Sequence, residues 1–452
     1  PTECIFPSQW HHSAMDAINL KAIHKHYGAK PLKNFPTVSF FEYYFYFPFI
    51  KKMTTVRPLN LMPYSKEIAI KRLTSIGFVP YERKHGESRF TKFFQNYYLP
   101  EKLNAHRPEW VPPIYSDDMR VLDPKRNPAH RYCDSILLLA YDGEELIGRI
   151  AGIINHRYND YANTKTARFS FFEAPDRLEV SKTMLDYVEN WARDKGMQKI
   201  VGPQGFTEED SEGFIYEGYN ETPTLGCIQN LPYVNEHMEK LGYGKEVDWF
   251  VYKVEVKKAM TETYARLFER ASRNPNFHLL EFTKKKQLKP YVRPIFDLMN
   301  EAFMVLYGYT PLDEAEIQSM ADRYMPLLDP RFIKAVETTD KQIIGFIVSI
   351  PNMSEGIKKA KGRIIPFGIF YMMQAAKKSK QLDNYLGAVK EEYRGKGVDV
   401  LLGYSQLKSA YEAGFEIIDS HHVLEDNIKM RAENERVGGV IYKKYRLYSK
   451  QL

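Results

Sequence analysis

The feature that most restricts what this chain can fold into is a repeat of itself. Ser135 to Ala140 is an apolar run, Tyr141-Asp142-Gly143-Glu144 a turn, and Leu146 to Asn155 a returning apolar run, which together predict a β-hairpin. Phe332 to Val336, Thr338-Thr339-Asp340-Lys341 and Ile343 to Asn352 carry the same grammar. Ile147-Gly148 and Ile344-Gly345 stand 197 positions apart, as do Asn155 and Asn352. A second echo closes each half: Leu241-Gly242-Tyr243 precedes a strand at Trp249 to Val256, and Gly438-Gly439 precedes one at Val440 to Tyr448, with Gly242 and Gly438 offset by 196. Single hairpins recur by chance in α/β proteins, but two echoes at nearly one offset favour duplication.

Between the echoes each half carries a strand and then a helix. Ala167 to Ala174 is followed by Ser181 to Lys195, with Met184, Leu185, Val188, Trp191 and Ala192 at helical spacing. Tyr385 to Val389 is followed by Val398 to Ala413, with Leu401, Leu402, Tyr404, Leu407 and Tyr411 apolar. The long loop Gly202 to Leu231 belongs to the first half only. The expected fold class is α/β (α+β): two tandem domains, each a mixed, mostly antiparallel sheet flanked by helices, over 53–258 and 259–452.

A chain of 452 residues suits two domains, and 44% hydrophobic against 27% charged residues supports a core with a wetted surface. No run reaches the roughly 18 consecutive apolar residues of a spanning helix. Cys4, Cys133 and Cys227 are too scattered for a metal knuckle or a disulfide framework, which predicts a reducing compartment, the cytoplasm, and no metal. The net charge of +7 is interspersed rather than gathered, so lysine runs such as Lys284-Lys285-Lys286 read as solvated faces and no nucleic-acid partner is expected. The surplus suits an anionic cofactor or an acidic membrane surface on the inner face. Residues 1–52 hold four histidines (His11, His12, His24, His26) and the aromatic run Phe40 to Ile50. Two readings stand, a tail that anchors at an interface and a segment upstream of the true start at Met53. The second is favoured because such a run is an aggregation liability.

The chemistry points to the second half. A strand ending at Val389, a short turn, then Arg394-Gly395-Lys396-Gly397-Val398-Asp399 opening a helix is a phosphate cradle: glycines allow close backbone approach, amides face the anion, and the helix dipole favours it. It fits neither a Walker loop nor a dinucleotide fingerprint. After Ala174 the first half offers only Pro175-Asp176-Arg177-Leu178-Glu179 and is expected to bind no cofactor but to help wall an acceptor cleft.

Hairpin, strand, Tyr393-Arg394-Gly395-Lys396-Gly397-Val398, amphipathic helix, strand, asparagine and helix together resemble the GNAT acyltransferase superfamily, whose loop reads R/Q-x-x-G-x-G/A. Arg394 and Gly397 match it; Asp399 stands where glycine or alanine is usual. The resemblance implies acyl-CoA or acetyl-CoA as co-substrate, with the pantetheine arm along Leu386, Gly387, Ala388 and Val389 and an asparagine contact from Asn427. Residues 105 to 448 also resemble a subgroup of bacterial GNAT-like proteins, through Pro108-Glu109-Trp110-Val111-Pro112-Pro113, Leu122-Asp123-Pro124, Gly202-Pro203, Gly213 to Pro223 and Tyr442-Lys443-Lys444-Tyr445-Arg446. Some members of that subgroup resemble ceramide synthases, which acylate a sphingoid amine. This implies a small-molecule or lipid amine as acceptor, with an acyl carrier protein as the other donor.

Acyl transfer to an amine needs a base, an oxygen-holding donor and an acid for the thiolate. The tyrosine often found seven positions past the asparagine is replaced here by Asn434, so the usual acid is missing. His421 or His422 can serve as a base near neutral pH, strand alternation pointing one inward and one outward; one packed and one exposed histidine is the structural alternative. Glu425 acts as base through a water or merely caps a helix. Tyr442 and Tyr445 donate to the thiolate or fill the core. Ile364 to Met373 is read first as core, with a lipid-facing surface as the alternative. Three functions follow: an N-acyltransferase, a non-catalytic CoA-binding or regulatory protein (favoured by Asn434 and Asp399), and aminoacyl-tRNA-dependent transfer, which the lack of a basic face disfavours.

Overall fold

Each predicted hairpin forms because its apolar residues face a helix, and the computed structural model shows both. It describes residues 68–72 and 99–452 apart from Glu144 and Glu208; the readings made for residues 1–52 lie outside these. Strands β1 (Ile68–Arg72), β2 (Cys133–Asp142), β3 (Glu145–Asn155), β4 (Thr166–Glu173), β5 (Lys199–Gly202), β6 (Phe214–Glu217) and β7 (Gly244–Glu255) belong to the first half. The second half supplies β8 (Phe277–Glu281), β9 (Ile333–Thr338), β10 (Ile343–Pro351), β11 (Gln381–Val389), β12 (Ile417–Asp419), β13 (Val423–Leu424) and β14 (Val440–Gln451).

The repeated glycines have one cause. A methyl group on Gly148 in β3 would come within 2.8 Å of Met184 Sδ, and one on Gly345 in β10 within 2.7 Å of Val398 Cγ1. Both hairpins are crossed closely by the following helices, Leu178–Asp194 and Val398–Glu412, so a side chain at either glycine would have to displace Met184 or Val398. The first helix buries Val180, Met184, Leu185 and Val188 against Ile136, Leu138, Ile150 and Ile154.

All the described strands join one sheet, with principal order β1-β2-β3-β4-β5-β14-β7-β12-β11-β10-β9-β8. The closing strands are exchanged between halves. β14, the last strand, lies between β5 and β7 of the first half, while β7 pairs with β12 and β13 of the second.

Within each half two parallel strands start together and part. β4 and β5 pair only over Thr166–Arg168 with Lys199–Val201, and β11 and β12 only over Gln381–Asp383 with Ile417–Asp419. Beyond those pairs each couple splays into a wedge.

The stretch Ile364 to Met373, read first as core, is mostly outside. The helix Gly368–Lys378 buries Met372, while Ile365, Phe367, Ile369, Phe370 and Met373 are exposed. One row of contacts satisfies its packing, leaving the other apolar face to solvent.

Candidate functional site

The two wedges end differently because different side chains sit at the last parallel pair. In the first half that pair is Arg168↔Val201. Arg168 is 1% exposed and its guanidinium donates to the carbonyls of Gly205 (3.1 Å) and Phe206 (3.2 Å), while Gln204 N donates to the carbonyl of Phe169. The chain's own loop fills that wedge. In the second half the pair is Asp383↔Asp419. Asp419 takes an ion pair from Lys443 at 2.9 Å, both side chains fully buried, and accepts from the Tyr442 hydroxyl. Past it the backbone leaves the strand, and the wedge stays open.

That open wedge leads into a cavity of about 510 Å³. Asn384, Tyr385, Leu386 and Gly387 of β11 form one wall, and Ser420 to Leu424 with Asn427 the facing one. Ala388 and Val389 continue β11 toward the loop, hydrogen-bonded on their other side to β10. Gly395 and Gly397 adopt φ of +69° and +97°, left-handed values that turn the chain into the helix, with the Lys396 amide spent on the Tyr393 carbonyl. Gly397 caps the helix Val398–Glu412 without a side-chain bond, so the first helical amides remain for an anion. Arg394 braces the loop through Nε on the Val389 carbonyl (3.0 Å), and Lys396 lies over the Tyr393 ring. Asp399 does not reshape the turn. It sits in the helix's first turn with its carboxylate toward Arg436 (3.3 Å). The residues present therefore fit a pyrophosphate at the loop and an extended arm along β11.

His421 and His422 both line the cavity, against the alternation expected of a continuous strand. The strand breaks between Asp419 and Val423, and His421 takes φ +55°, held by a bond from its amide to Asp419 Oδ1 (2.7 Å). Burial lowers His421 to about 4, so the expected base poised near neutrality is not His421. Its ring stacks near Tyr385 (5.0 Å), and His422 lies on Trp249 (5.8 Å).

Glu425 faces away, ion-paired to Lys245 at 2.5 Å and accepting from the Asp248 amide. Tyr442 spends its hydroxyl on Asp419. Burial first, then that carboxylate, raises it far above its usual range, so it offers no proton to a thiolate. Asn427 lines the cavity and caps the last helix through Met430 N (3.2 Å). Asn434 is buried, bonded to the Met430 carbonyl.

Sequence reasoning missed what the long loop of the first half brings. The repeated asparagines grip it at both ends: Asn155 Nδ2 donates to the Phe206 carbonyl (2.9 Å) and Asn352 Nδ2 to the Pro223 carbonyl (3.3 Å). Tyr385 and Lys443 hold it further at the Leu225 and Thr222 carbonyls. So fixed, the loop sets Cys227 beside the histidines and Glu209, Asp210 and Glu212 on the cavity wall, with Asp118 and Glu173 nearby. Burial raises Asp118 and Glu209 to about 7 and Glu212 to about 8. An apolar arm of Leu288, Val292, Ile295, Phe296, Phe303 and Leu328 completes the lining.

A GCN5-related glucosamine N-acetyltransferase region of a fungal multi-domain GH3 β-N-acetylglucosaminidase superposes with a TM-score of 0.50 at 9% identity, over 86% of this chain and 38% of that one. With its paired wedges, the architecture is thereby placed. The fold is a tandem GNAT fold. Two curated proteins are similar to this chain along most of their length. Bacterial ceramide synthase of Caulobacter vibrioides is 28% identical over 363 residues, 78% of this chain and 93% of that protein. Protein YghO of Escherichia coli K12 is 25% identical over 78% of this chain and 91% of its own length. No family model matches the chain.

Proposed function

We propose that the chain is an N-acyltransferase that moves a long acyl group from acyl-CoA to the amine of a long-chain lipid acceptor. The observation that carries this reading is one cavity that joins the β11 wall at Asn384 to Gly387, the strand that runs on to the cradle, to a group of acids and an apolar arm. A pantetheine arm on β11 delivers the thioester between Tyr385 and His422. An ammonium head docks against the acids and re-ionises them, and Leu288, Val292, Ile295, Phe296, Phe303 and Leu328 take hydrocarbon. Glu212, raised to about 8 by burial, is matched to removing a proton from an amine near neutral pH. The likeness to the protein named bacterial ceramide synthase supports the same class of acceptor. A peripheral membrane contact is proposed at Ile365, Phe367, Ile369, Phe370 and Met373, followed by Lys377 and Lys378. Their helix packs through Met372 on Ile350 and Ile357, which also line the cavity.

The test is CoA thiol release from palmitoyl-CoA across an amine panel. Long-chain 2-amino alcohols should outpace short amines bearing the same head group. CoA binding without thiol release from any amine would leave the non-catalytic reading in its place.

A further inference from the structure

Cys227 is surrounded in a way that a merely packed cysteine is not. Its Sγ lies 3.5 Å from His422 Nε2, 3.7 Å from His421 Nε2 and 2.7 Å from Thr224 Oγ1. The buried Lys443 ammonium is within electrostatic reach, and the buried Tyr445 hydroxyl is turned to the sulfur as well. Cys227, His421 and His422 all face the cavity at the point where β11 and β12 part. The other described cysteine makes the contrast: burial pushes the Cys133 thiol up to about 12. Burial pushes Cys227 up too, but His422, Lys443 and the bond with Thr224 together hold it below the usual thiol range.

We propose that Cys227 is the chain's acyl-accepting nucleophile, so that the acyl group rests on this sulfur before it reaches the amine. The inference rests on the acyl-CoA reading above. His422 takes the Cys227 proton as the sulfur attacks the thioester carbonyl. A carbon–sulfur bond to Cys227 forms, the bond to the CoA sulfur breaks, and His422 returns its proton to the CoA thiolate. One thioester replaces another, so the exchange is close to isoenergetic and needs no further reactant. A carboxylate of the cavity wall first takes the ammonium proton; the free amine then attacks the Cys227 thioester, an N–C bond forms, the bond to the Cys227 sulfur breaks, and the second amine proton passes through His422 to the departing sulfur. Handing the acyl group to a fixed sulfur frees the wedge and turns the acyl carbon toward the acids that hold the amine.

The experiment omits the acceptor. With palmitoyl-CoA alone, intact-protein mass spectrometry should show one acyl group per chain, mapped to Cys227 and removed by neutral hydroxylamine. Labelled CoA should also exchange into palmitoyl-CoA without any amine, a readout that a packing role would not produce. Cys227→Ala and Cys227→Ser should abolish both signals and lower turnover about 100-fold or more, with CoA affinity by calorimetry and thermal midpoint unchanged. Cys133→Ala should keep both. Binding of CoA with neither adduct nor exchange overturns the covalent route alone, as does wild-type turnover in Cys227→Ala. Failure of the wild-type chain to bind CoA removes the acyl-CoA reading as well.

Discussion

The wedge between β4 and β5 and the wedge between β11 and β12 begin alike and serve opposite ends. Each couple pairs in parallel over three residues and then parts, yet one opening is filled by the chain's own loop and the other gives onto a cavity. The difference lies at the third pair. Arg168 reaches across and collects two carbonyls of its own loop, so that loop is drawn in. Asp419 is occupied sideways by Lys443 and Tyr442, so no side chain of that pair draws a loop into the wedge, and the long loop only bridges it at Leu225, whose carbonyl accepts from Tyr385 Oη. The loop rooted in the first wedge reaches the second.

The sharpest way to break this comparison is to remove the two holding cations. Lys443→Met leaves Asp419 buried and unpaired, and the expected loss is about 3–5 kcal/mol of stability by urea unfolding. Arg168→Met leaves the Gly205 carbonyl without its donor while the Phe206 carbonyl keeps Asn155, and should cost less, about 1–3 kcal/mol, mainly by loosening the loop. Equal losses would mean that the two pairs play the same part.

Next comes the cradle. Gly397→Asp forces a residue with Cβ into φ +97°, 3.0 Å from the Ala271 Cβ, and adds an acid where phosphate belongs. Strain of about 1–2 kcal/mol lowers stability, and the loss of an anion contact of about 1.5–3 kcal/mol predicts CoA affinity down about 10- to 100-fold. Arg177→Ala, in the corresponding turn of the first half, should leave CoA affinity unchanged by calorimetry. A loss there would show that the first wedge also binds.

The local parts of this molecule were legible in its sequence. Hairpins, the apolar faces of both long helices, and the glycine cradle follow from spacing that neighbouring residues set. What was not legible depends on distant partners. Nothing in Val440 to Gln451 says that this strand will lie against β5 rather than β12, because an alternating strand fits either edge. His421 and His422 were assigned opposite faces on the assumption of an unbroken strand; the bond from His421 N to Asp419 breaks it. Cys227 carried no signal of its own. The signal was the pair Asn155 and Asn352, which were read as an echo of duplication and are in fact the clamps that aim the loop holding that cysteine.

The smallest effect concerns pH and separates the loop from the wedge. Asp118, Glu209 and Glu212 hold their protons to about 7, 7 and 8, and Asp383, pressed by burial and by Asp419, holds its own to about 8. Unfolded carboxyls release theirs near 4, so the folded chain binds more protons across the window between. Stability contributed this way is complete below about pH 4, falls as pH rises through the window, and is gone above about 8. Each group adds at most about 1.4 kcal/mol per pH unit, less where cavity water reaches it. The thermal midpoint should therefore fall from pH 5 to 8.5, and Glu212→Gln and Asp383→Asn should each flatten part of the fall. If Glu212→Gln flattens it more, the loop is the weaker region, which is what a loop assembled to be re-ionised by an ammonium would show. A bound long-chain amine should then flatten the wild-type profile as Glu212→Gln does, because its charge keeps the carboxylate ionised at both ends of the window. A midpoint that rises with pH would contradict the neutral, proton-holding acids on which the amine site rests.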